Sequence, residues 1–496
     1  MPATPTLRRG AEALGASWGA WIDGCAQPVE AAASVIEPAT GETLAKVARA
    51  TRADARRAVA SARRAFREGS WPRLSAAERG RVLLAIAACV REHAEELATL
   101  EARNTGKPIA DARWEVASGA ACFEYYAGAA TKLAGSTPPV DAPGLSLTLR
   151  QPLGPCALIV PWNFPFLIAC WKLAPALAAG NTAVVKPASA TPLSALRLAE
   201  LAGQAGLPPG VLGVVPGPGE EVGAALVTDA EVVKISFTGD SVNGAQILRL
   251  AADAIKRTSL ELGGKSASIV FADADFERCV EKSLLAVFGN AGQDCCARSR
   301  ILVEAGAHDA FVEAFAAATQ ALAVGDPLRP DTQVGSLISR SHRERVQGYL
   351  AIGRAEGARL VCGGEVPRDA ALEAGAFLLP AVFDRVTPSM RIAREEIFGP
   401  VVVVLPFRDE AEAVALANDS IYGLSGSLWT RDLKRALRVA RAVETGVLSV
   451  NSSRSVFLEA PFGGVKRSGL GRELGMAALE AYTELKSVYF ETEEGA

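Results

Sequence analysis

The chain has 496 residues, too many for one ordinary core, so two or three domains are expected. Hydrophobic residues make up 49% and charged residues 22%, the balance of a packed globule and not of a disordered chain. A net charge of −3 leaves no basic footprint for nucleic acid, and His93, His308 and His342 stand too far apart in sequence to give metal-ligand spacing, so no metal is expected.

The opening MPATPTLRRGAEALG carries two arginines with no apolar stretch behind them, so it does not read as a secretory signal. The greasiest region, Cys156 to Gly180, is broken by Pro161, Asn163, Pro165, Lys172 and Pro175, which makes it poor material for a membrane span. Nine cysteines without a paired pattern point to a reducing, cytoplasmic setting. Residues 51 to 100 read as helices, with Ser75 as an N-cap and Glu78 as its capping-box partner. A further helix is predicted over Asp111 to Leu133, its Phe123, Tyr125 and Tyr126 serving as core.

From Gly144 to Arg150 the pattern alternates as a strand, and beyond it strand and helix follow one another. Strands are predicted at Ala157 to Val160, Thr182 to Val185, Gly213 to Val215 and Val232 to Phe237, with helices between and after them to Ala252. Such alternation makes the chain an α/β protein with a parallel sheet covered on both faces, whose ligands bind beyond the C-terminal strand ends. A second α/β layer begins near Leu262-Gly263-Gly264, with strands at Ser266 to Phe271, Val401 to Leu405 and Val447 to Val450. The tail, Tyr482 to Phe490, alternates as an edge strand suited to pair with 144–150 or with another subunit.

Chemistry concentrates in FGNAGQDCCARSR, Phe288 to Arg300, where two cysteines adjoin. Its small residues let a substrate approach, and Arg298 and Arg300 supply positive charge that would lower a thiol's pKa. A buried structural cysteine pair is the alternative. Asn163, held between Pro161 and Pro165 just past a buried strand, has an amide pre-oriented for an oxyanion, or else one that satisfies its own turn. Glu261 in the apolar LELGGK run would have its pKa raised and could act as a general base, unless it pairs with Lys265. Lys186 is a cation at a strand end, useful to a ribose or phosphate. No G-x-G-x-x-G follows the first strand; GPGEEVG at 217–223 and GDSVNG at 239–244 are glycine turns whose N–H groups can meet a phosphate.

Seven motifs complete the pattern: PWNFP (161–165), VVKPA (184–188), FTG (237–239), LELGGK (260–265), GQDCCA (292–297), EEIFGP (395–400) and PFGGVKRSGLGRELG (461–475). Together they resemble the aldehyde dehydrogenase superfamily from about residue 20 to about 490. The resemblance implies a Rossmann-type cofactor domain over 1–131 and 151–261, an α/β catalytic domain over 262–467, and a small β oligomerisation arm from 132–150 and 482–492. It implies Cys295 as nucleophile, Asn163 with the Cys295 N–H as oxyanion hole, Glu261 as base, and a Lys172/Glu473 pair as proton relay. Trp162, Lys186, Ser189, Gly219, Gly239, Asp240, Gly244, Leu262, Glu396 and Phe398 would surround the cofactor, NAD, with NADP accepted because Ser189 stands where NAD-preferring relatives often carry Glu. Asp240 replaces the usual Ser or Thr after FTG; it can cap a helix but would repel a pyrophosphate.

The same resemblance implies an aldehyde tunnel walled by Phe164, Trp171, Phe288, Phe457 and Phe462, suited to an apolar or cationic tail. CFEYYAG (122–128) and the 460–475 stretch look most like betaine-aldehyde and amino-aldehyde members, although Gly289 falls where some of those carry a cation-stacking Trp. The expected activity is oxidation of such an aldehyde to its acid by a homodimer or homotetramer. A broad aliphatic or aromatic aldehyde dehydrogenase is the alternative, and a non-catalytic binding relative a more distant one.

Overall fold

The computed structural model describes residues 17–492; the MPATPTLRRGAEALG segment lies outside them. The first layer is an eight-stranded sheet. Its five central strands lie in the spatial order Arg257–Glu261, Lys234–Thr238, Pro155–Ile159, Thr182–Lys186 and Leu212–Val214, all parallel. PCALI, TAVVK and KISFT are buried at every position because helices cover both faces, so these strands cannot alternate. Trp21–Ile22 adds antiparallel to Leu212–Val214 and Cys25–Ala26 closes that edge, while Gly469–Leu470 closes the other against Arg257–Glu261.

The chain leaves this sheet at Glu261 and enters the second at Ala267. There seven strands lie in the order Arg359–Cys362, Ala381–Asp384, Val401–Phe407, Arg300–Glu304, Ala267–Val270, Ser425–Trp429 and Val447–Val450. All are parallel except the first. Each sheet has its own apolar core.

The predicted helices are present with small shifts at their ends. Ser75 and Glu78 form the capping box of the Ala76–Glu92 helix. Ile109–Ala129 buries Phe123 and Tyr126 completely, as core. The greasy stretch forms the Pro165–Ala178 helix, all of it buried, which explains its composition without a membrane. Among the described residues no helix is long and apolar enough to cross one. Thr483–Glu491 pairs antiparallel with Gly144–Pro152 along its whole length, from Thr483↔Pro152 to Glu491↔Gly144.

Several strands lacked a sequence signal. Arg257–Glu261 (RTSLE) alternates polar residues inside a buried sheet, so it does not read as apolar. Ala32–Ile36 and Thr43–Ala48 form a small N-terminal sheet with Ser17–Trp18.

Candidate active site

The C-terminal ends of the first sheet open into a cleft of about 910 Å³. Its wall includes Trp162, Asn163, Lys186, Ser189, Gly219, Gly239, Asp240, Glu261, Leu262, Cys295, Glu396 and Phe398. A thiol, an amide and a carboxylate from three separate segments thus meet at one strand edge.

Cys295 stands half-buried in the loop that follows the Phe276–Phe288 helix. Asn290 and Ala291 take left-handed conformations there (φ 51° and 54°), turning the loop back toward the first sheet. The thiol is held well above its ordinary range by the neighbouring Cys296 thiol, by burial, and by the Asp294 and Glu396 carboxylates. The expected lowering by Arg298 and Arg300 is not found. Arg298 donates to the Cys296 carbonyl and Ser427 Oγ, and Arg300 to the carbonyls of Lys265, Leu416 and Ala417, so both guanidiniums brace the backbone. Cys295 therefore needs a base to become a nucleophile. Among the described residues, Asp294, Cys295 and Cys296 form the one group whose potential metal-ligand atoms lie within 4.8 Å of one another.

Asn163 donates its amide to the Gln293 carbonyl at 3.0 Å, bridging to the Cys295 loop rather than satisfying its own turn. Its carbonyl accepts Lys107 Nζ and Asn290 Nδ2, both at 2.9 Å. Lys107 is buried and paired with Glu115, which in turn accepts the Leu167 N–H at 3.2 Å. Lys107, Glu115 and Asn290 support the site, yet nothing in their local sequence marked them.

Glu261 ends its strand buried, and neither carboxylate oxygen has a partner. Burial, and next the Glu473 carboxylate, push its pKa well above the usual range, against the pull of Lys172 and Arg472. It does not pair with Lys265, whose Nζ is also without a partner. A Cβ at Gly463 would sit 2.6 Å from Glu261 Oε1, so only glycine leaves room for the carboxylate. Glu473 pairs with Lys172 and accepts the Ser236 hydroxyl at 3.1 Å.

On the far side of the cleft, burial lowers Lys186 to about 8 and raises Glu396 to about 7. Gly264 N–H fixes Glu396 Oε1 at 2.9 Å. Trp162 meets Phe398 edge to face at 5.2 Å, and His342 Nε2 lies 2.7 Å from the Phe398 carbonyl. His342, with Arg345, lines the cleft without any motif to announce it. Gly244 is not in the wall; a Cβ there would strike Leu262 at 2.6 Å, so it lets Leu262 settle. Asp240 caps the Ser241–Ala252 helix through the N–H groups of Val242 and Asn243, both at 2.9 Å. That helix end is filled by the chain's own carboxylate.

A model of the aldehyde dehydrogenase family matches residues 22–488. The chain belongs to the aldehyde dehydrogenase family. It is 44% identical over 481 residues to the betaine aldehyde dehydrogenase of Bacillus subtilis, covering 96% of this chain and 97% of that one. With the 4-trimethylaminobutyraldehyde dehydrogenase of Bos taurus it shares 42% over 469 residues, 94% of each chain. The crystal structure of betaine aldehyde dehydrogenase from Staphylococcus aureus in complex with NAD+ matches with a TM-score of 0.95 at 38% identity, covering 98% of this chain and 97% of that one.

Within this aldehyde dehydrogenase the aromatic residues divide. Trp171 and Phe462 meet at 5.5 Å, both buried, and Phe164 lies half-buried with the Lys107 ammonium 4.6 Å from its ring centre. Phe457 is exposed, with the Arg454 guanidinium 5.2 Å over its ring. Phe288 departs from expectation: it is 1% exposed and stacks on Phe315 at 5.9 Å in the core of the second sheet. It sits on the inward face of its helix, so it packs the layer and walls no tunnel.

Proposed function

We propose that this aldehyde dehydrogenase oxidises betaine aldehyde or an amino-aldehyde to the acid, with NAD as acceptor and NADP tolerated. The convergence of Cys295, Glu261 and Asn163 on one cleft carries the reaction class. The relatives' substrates support the substrate. The cleft fits a dinucleotide: Lys186 offers a cation and Glu396 a carboxylate to ribose hydroxyls, and the space beside Gly219 is open. Ser189 gives its hydroxyl to the Gly217 carbonyl, at 3.1 Å, and puts no negative charge near a 2′-phosphate.

In this reading Glu261 takes the Cys295 proton and the thiolate attacks the aldehyde carbon. The Asn163 amide, with the Cys295 N–H, holds the resulting oxyanion. When bound, the nicotinamide supplies a hydride acceptor. Glu261 then activates water against the thioester, and Lys172 with Glu473 receives protons from it. In the same reading the cofactor domain comprises 1–131, of which 1–16 lie outside the described residues, and 151–261, the catalytic domain 262–467, and the arm 132–150 with 482–492. Leu145, Leu149 and Phe490, exposed on one face of the arm, support a homodimer or homotetramer joined through it. Nine unpaired cysteines suit the cytoplasm.

Arg454 over Phe457 favours a second reading, a broad enzyme for neutral aliphatic or aromatic aldehydes, since a cation there repels a cationic tail. Nicotinamide reduction with betaine aldehyde, 4-aminobutanal, hexanal and benzaldehyde, in NAD and NADP, decides between them, with Cys295→Ala as control. Preference for the two cationic aldehydes is the expected result; preference for the neutral pair selects the second reading.

A further inference from the structure

Two neighbouring strands of the first sheet carry polar residues along one shared face. In Lys234–Thr238 these are Lys234, Ser236 and Thr238; in Arg257–Glu261 they are Arg257, Ser259 and Glu261. The register pairs Lys234 with Arg257, Ser236 with Ser259 and Thr238 with Glu261, so the six form a ladder. All but Arg257 are buried. The next strand continues the face with Cys156 and Leu158, which bounds the ladder on that side. Four residues of extended chain separate Glu261 from Arg257, about 13 Å. A buried polar row of this length is costly unless its groups find partners.

Some partners are visible. Lys172 Nζ donates to Ser236 Oγ at 2.9 Å, and Ser236 donates onward to Glu473. Lys234 Nζ donates to Ser259 Oγ at 2.6 Å and lies 4.9 Å from the centre of the Tyr482 ring. Others have none: both Glu261 oxygens, Glu473 Oε2, Thr238 Oγ1 and Tyr482 Oη are buried without a partner. Orphaned polar atoms gathered along one face mark places for ordered water. At the far end Arg257 reaches solvent, 48% exposed, and pairs with Glu484 of the C-terminal strand.

Aldehyde oxidation through a hydrolysed thioester releases two protons per turnover: aldehyde, NAD+ and water become carboxylate, NADH and 2 H+. Glu261 must discharge its proton before it can act again, and a filled cleft closes its route to solvent on that side. We propose that the ladder through Glu473, Ser236, Lys234 and Ser259 conducts these protons from Glu261 to the Arg257–Glu484 edge. The proposal rests on the reading of Glu261 as base. Burial lowers Lys234 to about 8, close to neutrality, as a group that gives and regains a proton requires; Cys156 and Glu473 act against that lowering, and Lys172 and Arg257 with it. Tyr482 is the remaining titratable group against it.

The test uses p-nitrophenyl acetate with saturating NAD filling the cleft; the ester acylates Cys295 as p-nitrophenolate leaves, after which water gives acetate and the free thiol. The nitrophenolate burst reports acylation, the steady rate reports hydrolysis, and a pH-indicator dye follows the proton. Lys234→Met should keep the burst and lower the steady rate by about tenfold, with a larger solvent deuterium isotope effect; Ser259→Ala should lower it by about threefold, and Lys234→Arg, which keeps the cation but cannot release its proton, should stay as slow as Lys234→Met. Steady rates within about twofold of the parent in Lys234→Met and Ser259→Ala would overturn the ladder, as would a burst falling in step with the steady rate in both, which marks packing. Should Glu261→Gln leave hydrolysis untouched, the base itself is misassigned, a failure visible apart from the other variants.

Discussion

Asn290 donates its one side-chain amide to two carbonyls, Asn163 at 2.9 Å and Gln293 at 3.2 Å. It thereby ties the Asn163 loop to the Cys295 loop, from a left-handed backbone position (φ 51°) that asparagine tolerates better than most residues. Asn163→Ala should slow acyl-enzyme formation by about 10²- to 10³-fold, the usual cost of an oxyanion donor. Asn290→Gly keeps the backbone conformation and loses only the tie; it should cost about tenfold in the same pre-steady-state rate, with an unchanged thermal midpoint.

Glu261 sets a pH dependence. Its pKa is raised by burial and by Glu473, so at low pH it is a neutral acid and cannot accept a proton. Hydrolytic turnover should climb as pH rises through that raised value and then level off. Glu261→Gln should slow the first reduction of nicotinamide as well as the steady phase, with no climb in either as pH rises through that value, read by rapid-mixing absorbance at several pH values.

Glu101 makes a stability prediction of its own. Its two oxygens have no partner, and burial, with the Glu115 carboxylate, raises it to about 8 from 4.5. The folded chain therefore holds a proton that the unfolded chain releases, and stability is lost as pH rises from about 4.5 to about 8. Glu101→Gln should be nearly neutral at pH ~5 and stabilising at pH ~8, the difference growing by up to about 1.4 kcal/mol per pH unit. Urea midpoints at the two pH values check the sign.

Asp240 trades two roles against each other. Asp240→Ser retains an N-cap acceptor and removes a carboxylate from the cofactor cleft, so NAD affinity should rise with stability unchanged. Asp240→Ala should raise affinity too, at about 1 kcal/mol of stability. Fluorescence titration of NAD against both variants separates the effects.

Phe288→Ala should destabilise by about 3–5 kcal/mol, as an aromatic removed from a core does, and leave the aldehyde KM where it was. Trp171→Ala should raise KM instead. Denaturant unfolding beside steady-state kinetics distinguishes a packing residue from a wall.

The sequence made most of the first layer legible because its strands are short apolar runs ending in proline or glycine, and because the helices between them carry caps such as Ser75. Cys295, Asn163 and Glu261 were legible for a different reason: each is an unusual residue in a constrained or apolar setting. Arg298 and Arg300 misled, because sequence proximity gives a charge no direction, and both point to backbone carbonyls. Phe288 misled likewise: three residues in one helix turn decide between core and cleft, and spacing from Cys295 does not. Lys107 and Glu115 were invisible, since their value comes from a carbonyl 56 residues away from Lys107 along the chain.

The Gly469–Leu470 strand has a consequence for synthesis. It completes the first sheet beside Glu261, and Glu473, a few residues later, supplies the partner of Lys172. Both leave the ribosome long after the Cys295 loop. During that interval the nascent chain displays a thiol whose base lacks its neighbours and whose sheet has an open edge. Until that segment arrives the first sheet keeps an open edge and Lys172 lacks its carboxylate, so the order of residues along the chain makes this site one of the last parts of the molecule to be completed.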